Sequence, residues 1–591
     1  MTNSNEEDDV LSDQRDSDKE QMYKIKDCVI EPHSELPKPK PPPGVLPSPA
    51  TNEASSTIKS FIEDHKISLS ASIERGLSFL SGKSHVSERE WFSAPLEVTE
   101  IDMSGVKVVV RKKKEDPPFK GRVSFFSRSS CRDCAAVRSF FRNQSVPFVE
   151  INIDVFPQRE KELVERAGTA EVPRIFFNDR LFGGLVALNS LRNSGDFDER
   201  VKDVLKKSSL NKAPSPPLYG VDDDEDTEDV KDLLLPIVRV LRQKLPIQDR
   251  LLKMKITNNC FSGEEMIDVL IHHFRFDTQQ AIEVGKELTR KHFIHIVAGK
   301  PEFVFGNHYR VLEHEKFIQN CHNFRGVTND NEPKAATAVA SKIHKIMSAI
   351  VEAYASEDKC HVDYASVAKS EEFRRYVNVV DDLQRVDLLK LSQTEKLSFF
   401  LNLYNAMVIH AVIRTGLTKG IIDRRAFYSD FQYVVGGDAY SLNAIKNGVL
   451  RGNRRSPYSI VKPFGNGDRR LETAFRNVNP LIHFGLCNGT RSSPAVSFFS
   501  SYGAEAELRQ ATREFFQRGA IEVDLEKRSV RLSRILSWFS SDFGQEKQMV
   551  KWVLGFLDGA QAGLLTHLMN DGGPINVVYE EYNWSINSYT V

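Results

Sequence analysis

Ser127-Arg128-Ser129-Ser130-Cys131-Arg132-Asp133-Cys134 is the stretch on which the reading of this chain turns. It follows a short β-type run, Val123-Ser124-Phe125-Phe126, and leads into a helical pattern from Ala135 to Arg142. A Cys-x-x-Cys pair in that setting puts the first sulfur at a helix N-terminus, where unpaired N–H groups and the helix dipole favour the thiolate. The thiolate is the nucleophile of disulfide exchange, and a second thiol three residues on can resolve the mixed disulfide. Arg128 and Arg132 would assist the thiolate, and Asp133 would oppose it. Zinc also binds such pairs, but a structural zinc needs a second ligand pair and none stands nearby, so no metal is expected.

Working outward, Pro147 to Ile153 alternates like a strand, and Glu160 to Ala167 is helical with Gly168 as its stop signal. Arg174-Ile175-Phe176-Phe177 and Arg180-Leu181-Phe182 read as strands joined by a turn at Asn178-Asp179, and helical patterns resume at Leu185. Strand, helix, strand, helix, hairpin, helix is the thioredoxin-type order, and it predicts a thioredoxin fold over residues 119–205.

The whole chain has 591 residues, enough for several domains. Its 80 Lys and Arg against 81 Asp and Glu leave a net charge of −1, without the basic excess of a general nucleic-acid binder, so no nucleic-acid partner is expected. Seven cysteines with one close pair argue for reduced thiols rather than a secreted disulfide scaffold. The acidic start, Asn5-Glu6-Glu7-Asp8-Asp9, lacks a signal-peptide pattern, and the longest apolar stretch, Leu397 to Ile413, holds Asn402, Asn405 and His410 and reads as a buried core helix. The expectation is a cytoplasmic protein with peripheral membrane attachment and no transmembrane helix.

Residues 1–90 form an acidic and Pro-rich arm, expected to be disordered, with a weak helical pattern from Ile58 to Leu80. A linker at 206–230 carries Asp222-Asp223-Asp224-Glu225-Asp226, a like-charge run that stays extended. A unit at 231–313 shows helical patterns at Leu234–Leu245, Gly263–Phe274 and Thr278–Lys291, then β-type runs Phe293–Val297 and Phe303–Phe305 about a turn at Gly299-Lys300-Pro301, a winged-helix order. Residues 336–591 form one large α+β unit. Its most regular helix opens at Ser392 with a capping box to Glu395 and stops at Gly416. The fold class is therefore multidomain, α/β and α+β.

Val172-Pro173 before one strand and Phe182-Gly183-Gly184 after the next, together with the Cys131–Cys134 motif, resemble glutaredoxins across the whole unit. The resemblance implies that Cys131 attacks and Cys134 resolves. It also implies that Arg128, Val172, Pro173 and Gly184 line a site for glutathione, with glutathione or protein disulfides as partners. Asp133 and Arg132 depart from the family, as does Leu185-Val186-Ala187, where relatives carry a polar or acidic anchor for the glutathione amine. The unit resembles a plant-type subset of glutaredoxin-like domains more closely.

Phe261 to Leu270, Ala281-Ile282 through Leu288, Phe293-Ile294-His295, Phe303 and Tyr309-Arg310 resemble the DEP domain. That implies recruitment to a membrane surface or a membrane-bound signalling protein, with Arg250, Lys253, Lys255, Arg290 and Lys291 as a candidate basic face. Phe400 to Ala406 with His410, Gly436-Gly437, Ile482 to Cys487 and Tyr582 to Asn587 resemble the plant and bacterial domain of unknown function numbered 547. Cys487 and His483 invite a thiol-hydrolase reading there, against which an apolar cysteine is more often inert core. Relatives carry a cysteine at Ser493 and a Glu-His pair at Lys446-Asn447.

These readings combine into a redox-signalling protein whose glutaredoxin-like domain exchanges disulfides with glutathione and whose DEP domain recruits it. The alternatives are a non-enzymatic scaffold with a degenerate glutaredoxin fold, and an activity that resides in the C-terminal domain.

Overall fold

A computed structural model describes residues 98–103, 106–111, 121–206, 212–218, 230–252, 254–298, 302–417 and 420–589. The acidic arm, its Ile58–Leu80 pattern, the acidic run at 222–226 and the Gly299-Lys300-Pro301 turn lie outside the described residues. An antiparallel hairpin, β1 (Val98–Met103) with β2 (Val106–Arg111), precedes the first unit.

The first unit is built on β3 (Val123–Ser127), which is buried along its whole length. After it come α1 (Arg132–Asn143), β4 (Phe148–Asn152), α2 (Arg159–Ala167), β5 (Arg174–Phe177), β6 (Arg180–Gly183), α3 (Leu185–Ser194) and α4 (Phe197–Lys206). The sheet order is β4-β3-β5-β6, with β3 and β4 parallel and the other pairs antiparallel, as the thioredoxin-type order requires. Gly168 closes α2 in the left-handed conformation at φ 72°, a region open to glycine at little steric cost. Phe125, Phe141, Val137 and Leu188 fill the layer between sheet and helices.

In the second unit α5 (Leu235–Lys244) is followed by a hairpin that the sequence did not announce, β7 (Gln248–Leu252) with β8 (Lys255–Ser262). Most of this ribbon stands in solvent and only Cys260 and Phe261 are buried, so its residues show no one-sided alternation to read. Helices α6 (Gly263–Phe274) and α7 (Thr278–Arg290) begin in capping boxes, Ser262 with Glu265 and Asp277 with Gln280. Strand β9 (Ile294–Ile296) pairs with β10 (His308–Val311), not with Phe303–Phe305. Phe303 instead plugs the core, its ring stacked on Tyr309 and pressed against Gly285, where a Cβ would meet it at 2.8 Å.

The third unit opens with α8 (Ala336–Tyr354), α9 (Tyr364–Lys369) and α10 (Glu371–Val379), then the central α11 (Gln393–Thr415). The expected capping box starts α11: Glu395 N–H donates to Ser392 Oγ at 3.3 Å, and Ser392 N–H to the Glu395 carboxylate at 2.9 Å. This helix is long and apolar enough to cross a membrane, yet 89% of its most apolar window is buried inside the unit. Around it lie α12 (Ile421–Asp430), the hairpin β11 (Gln432–Val435) with β12 (Asp438–Ser441), a π-helical segment Ala444–Leu450, α13 (Ile482–Gly485) and α14 (Ala504–Phe515). Antiparallel β13 (Ile521–Asp524) and β14 (Ser529–Leu532), joined in parallel by β15 (Asn576–Tyr579), form a second small sheet, with α15 (Glu546–Leu554) and α16 (Gly559–Asn570) between.

The units are packed together. Val155 and Phe156, from the loop after β4, belong to the core of the third unit, and the Arg375 guanidinium lies 5.3 Å from the Phe156 ring centre. Buried Asp232 of the second unit pairs with Arg385 of the third at 2.8 Å, and the Arg385 guanidinium lies 4.1 Å from the Phe293 ring centre. The turn between β11 and β12 holds Gly437 at φ 77°, where a Cβ would meet His292 Nδ1 at 2.5 Å and His295 Nε2 at 2.7 Å.

Candidate functional site

Strand β3 delivers the chain to Arg128, Ser129 and Ser130, and Cys131 forms the extended N-cap of α1 with φ −88° and ψ 120°. Cys131 is half-buried and Cys134, one turn on, is fully buried. Burial pushes the Cys134 thiol well up, and a hydrogen bond with the Cys131 side chain adds to this, while a bond to the Arg128 backbone opposes it. A thiol held protonated beneath the surface suits a resolving partner that acts after the outer sulfur has reacted.

Arg128, Val172, Pro173 and Gly184 lie together along one open groove of about 760 Å³, so the four wall residues expected from the sequence share a single surface. The Val172–Pro173 peptide is cis. Thr169, Ala170, Glu171, Arg174, Asp133, Leu185 and Val186 complete the lining. Gly184 caps α3, and a Cβ there would stand 3.2 Å from the Pro173 carbonyl oxygen, so glycine lets the two walls approach. Val186 is largely exposed and lines the groove with Leu185, so this stretch of the lining offers no carboxylate.

Arg128, expected to assist the thiolate and to line the glutathione site, is itself ion-paired. Its guanidinium pairs with Glu160 at 2.5 Å and lies 3.7 Å from Asp154, so its charge is already met by carboxylates on one side of the groove. Arg174 likewise pairs with Glu171 at 2.6 Å.

Sequence reasoning missed a carboxylate network behind the motif. Glu150 on β4 accepts from Arg138 Nε at 2.8 Å, Arg138 Nη2 at 2.6 Å and Ser127 Oγ at 2.6 Å. Burial alone would raise the Glu150 carboxyl, but the Arg138 charge and these bonds hold it below the usual range. Arg138 also meets Glu352 of α8 at 3.2 Å, and Glu352 accepts from the Ser130 backbone N–H at 2.8 Å. Glu150 was visible as a polar residue inside an alternating strand; nothing local marks Glu352, which comes 222 residues after Ser130.

In the third unit the two residues singled out there have different hydrogen-bond partners. His483 is fully buried, stacks on Phe539 at 4.1 Å and bonds to Asp542 through Nε2 at 2.8 Å. Cys487 meets Ser493 Oγ at 3.3 Å, and burial pushes its thiol up. Among the described residues no hydrogen bond joins His483 to Cys487, so the pair is not arranged as a nucleophile and its base. Lys446 lies over the Phe539 ring at 4.8 Å, and burial lowers its amine to about 7. Among the described residues no cluster of three His, Cys, Asp or Glu could hold a metal.

In the second unit three of the five candidate basic residues are ion-paired, and Lys255 is exposed. Arg250 pairs with Glu265 at 2.6 Å, Arg290 with Glu287 at 2.7 Å, and Lys291 with Asp232 at 3.0 Å and Glu332 at 2.9 Å. Lys253 lies outside the described residues. The β7–β8 tip exposes Leu251, Met254 and Ile256 instead.

Comparison with known proteins agrees with this architecture. The glutaredoxin family matches residues 123–182, the domain found in Dishevelled, Egl-10 and Pleckstrin (DEP) matches 244–311, and the protein of unknown function family DUF547 matches 388–516. The chain thus carries a glutaredoxin domain, a DEP domain and a DUF547 domain in that order. Glutaredoxin-2 of Schizosaccharomyces pombe is 29% identical over 90 residues, which are 15% of this chain and 82% of that protein. A glutaredoxin of Pseudomonas aeruginosa is 29% identical over 76 residues, 13% of this chain and 90% of that one. The solution structure of glutaredoxin from Brucella melitensis is 24% identical and covers 17% of this chain and all of its own, with a TM-score of 0.14.

Proposed function

We propose that the glutaredoxin domain performs thiol–disulfide exchange with glutathione as its redox partner. Cys131 is the nucleophile, Cys134 the resolving thiol, and Arg128, Val172, Pro173 and Gly184 the glutathione wall. The observation that carries this reading is the groove, whose lining includes all four wall residues together with Asp133, two residues after the half-buried Cys131. The Cys131 thiolate attacks one sulfur of a glutathione disulfide, joins it, and releases the other half as a thiolate. Cys134 then displaces the bound glutathione, leaving a Cys131–Cys134 disulfide that two further glutathione thiols reduce. The test is trapping: with oxidised glutathione, the Cys134→Ser full chain accumulates an adduct of one glutathione on Cys131, read by peptide mass spectrometry. A chain left unmodified at Cys131 contradicts the reading.

A second reading has its own support. Arg128 is tied to Glu160 and Asp154, and the amine-anchor position is apolar, both of which weaken glutathione binding and favour a scaffold role. The trapping experiment separates the two.

The DEP domain would direct the protein to a membrane or to a membrane-bound signalling protein, as the family name's members suggest for this chain. With Arg250, Arg290 and Lys291 ion-paired, the exposed Leu251, Met254 and Ile256 of the hairpin tip supply the contact by burial of apolar area, with the exposed Lys255 beside them.

A further inference from the structure

We propose that helix α8 is a specificity element of the CxxC site: seated where it is, it leaves the site open to disulfides of glutathione size and refuses those of folded proteins. This rests on the reading of Cys131 as a thiol–disulfide centre.

The seat is a reciprocal pair of caps between two helices. At the start of α1, the Glu352 carboxylate accepts from Ser130 N–H at 2.8 Å, one residue before Cys131. At the end of α8, Arg142 of α1 donates to the carbonyl oxygens of Glu352 at 2.9 Å and Ala353 at 2.6 Å, which a helix C-terminus leaves without intrahelical donors. Arg138 pairs with Glu352, Ser129 Oγ donates to the Lys345 carbonyl at 2.8 Å, and Lys345 meets Asp154 at 3.3 Å. Phe156 anchors the same side by sinking into the core of the third unit.

The seat and the groove share no residue. Helix α8 and the core behind it take Ser129, Ser130, Arg138, Arg142, Asp154 and Phe156, whereas the groove runs from Arg128 and Asp133 to Pro173 and Gly184. Cys131 therefore stands between an occupied face and an open one. A glutathionyl group fits a cleft of this size, since ligand pockets run to roughly 300–1,000 Å³. A folded protein that presents a disulfide needs a docking area of up to about 600 Å² on its partner even in a transient redox encounter, and α8 already occupies the side of the loop that carries Ser129 and Ser130.

For a mixed disulfide R–S–S–G the step is attack of the Cys131 thiolate on the glutathionyl sulfur. A bond forms between Cys131 Sγ and the glutathionyl sulfur, the S–S bond of R–S–S–G breaks, and RS⁻ leaves and takes a proton from water. A second glutathione thiolate regenerates Cys131 and carries away oxidised glutathione. Helix α8 takes no part in these steps; it limits the size of R.

The test compares full-length wild type with Glu352→Arg, which sets like charges against Arg138, and with Phe156→Ala, which empties the anchor. Cys131 modification by iodoacetamide and by a maleimide with a long polyethylene glycol chain is followed by peptide mapping. Turnover is measured with the glutathione disulfide of 2-mercaptoethanol and with glutathionylated serum albumin. The expected result is that both variants gain about tenfold or more in bulky relative to iodoacetamide labelling and in albumin relative to small-disulfide turnover, and that Phe156→Ala keeps iodoacetamide labelling and small-disulfide turnover within about twofold of wild type. Bulky labelling of wild-type Cys131 at the rate of either variant, or equal kcat/KM of wild type for both disulfides, overturns the proposal. Size-selective labelling without turnover of either disulfide upholds the seat and overturns the oxidoreductase reading instead.

Discussion

The Glu352 carboxylate and the Ser130 backbone N–H meet at 2.8 Å, which joins the third unit of the chain to the residue before Cys131. Burial raises the Glu352 carboxyl, and the Arg138 charge opposes that rise. Exchange of Glu352 for Gln keeps an acceptor for Ser130 but removes the charge that faces Arg138. A charge-assisted bond of this kind is worth roughly 1.5–3 kcal/mol. Amides at the C-terminal end of α8 are predicted to exchange about tenfold faster or more in Glu352→Gln, as read by hydrogen-exchange mass spectrometry. Unchanged exchange would mean that the contact carries no docking energy.

The contact between the DEP domain and the third unit is predicted to be acid-labile. His292 and His295 crowd Gly437, and burial lowers both, His292 to about 4. Nearby Arg469 and Arg385 reinforce the shift of His292, and Asp387 opposes it. A histidine depressed in the folded state binds fewer protons than the unfolded chain, so its contribution is complete above about 6.5 and is lost as pH falls towards about 4. Protection factors across β9, taken relative to the intrinsic exchange rate at each pH, should therefore fall between those pH values in wild type, and less so in His292→Gln. Gly437→Ala should loosen the same contact at neutral pH, because its Cβ would strike both rings.

Much of this was legible in the sequence, and the exceptions have physical causes. Buried β3 and the Cys131 helix start could be read because a fully buried strand and an N-cap leave local marks. The capping box at Ser392 announced α11 for the same reason. The β7–β8 ribbon left no mark, since a strand wet on both faces need not alternate. Phe303 was read as strand because an aromatic that plugs a core and one that sits in a sheet look alike in a short run. Glu352, Lys345 and Phe156 acquire their roles only when distant segments meet, which no local pattern encodes.

The apolar end of the groove is predicted to limit glutathione affinity. Val186 is largely exposed there and offers the glutathione ammonium no acceptor. Val186→Ser combined with Ala187→Asp should tighten glutathione binding by about tenfold, the value of one charge-assisted hydrogen bond. Isothermal titration of the Cys131→Ser background isolates binding from chemistry, and an unchanged Kd would place glutathione elsewhere.

Asp542 is predicted to be a stability determinant of the DUF547 domain. Burial would raise its carboxyl, but hydrogen bonds with His483 and Arg451 hold it well below the usual range. Arg451 is itself buried, with Nε 2.5 Å from Asp542. Asp542→Asn leaves that guanidinium without its counter-charge, at a cost of about 3–5 kcal/mol. Chemical denaturation followed by tryptophan fluorescence should show a large loss, and a loss under about 1 kcal/mol would mean that water or other acceptors replace the carboxylate.

The central claim, that Cys131 is a glutathione-linked nucleophile, is tested most directly by steady-state reduction of the glutathione–2-mercaptoethanol disulfide by the full chain, coupled to glutathione reductase. The account predicts turnover by wild type that falls to the uncatalysed rate in Cys131→Ser. A wild-type rate no greater than that of Cys131→Ser would contradict it.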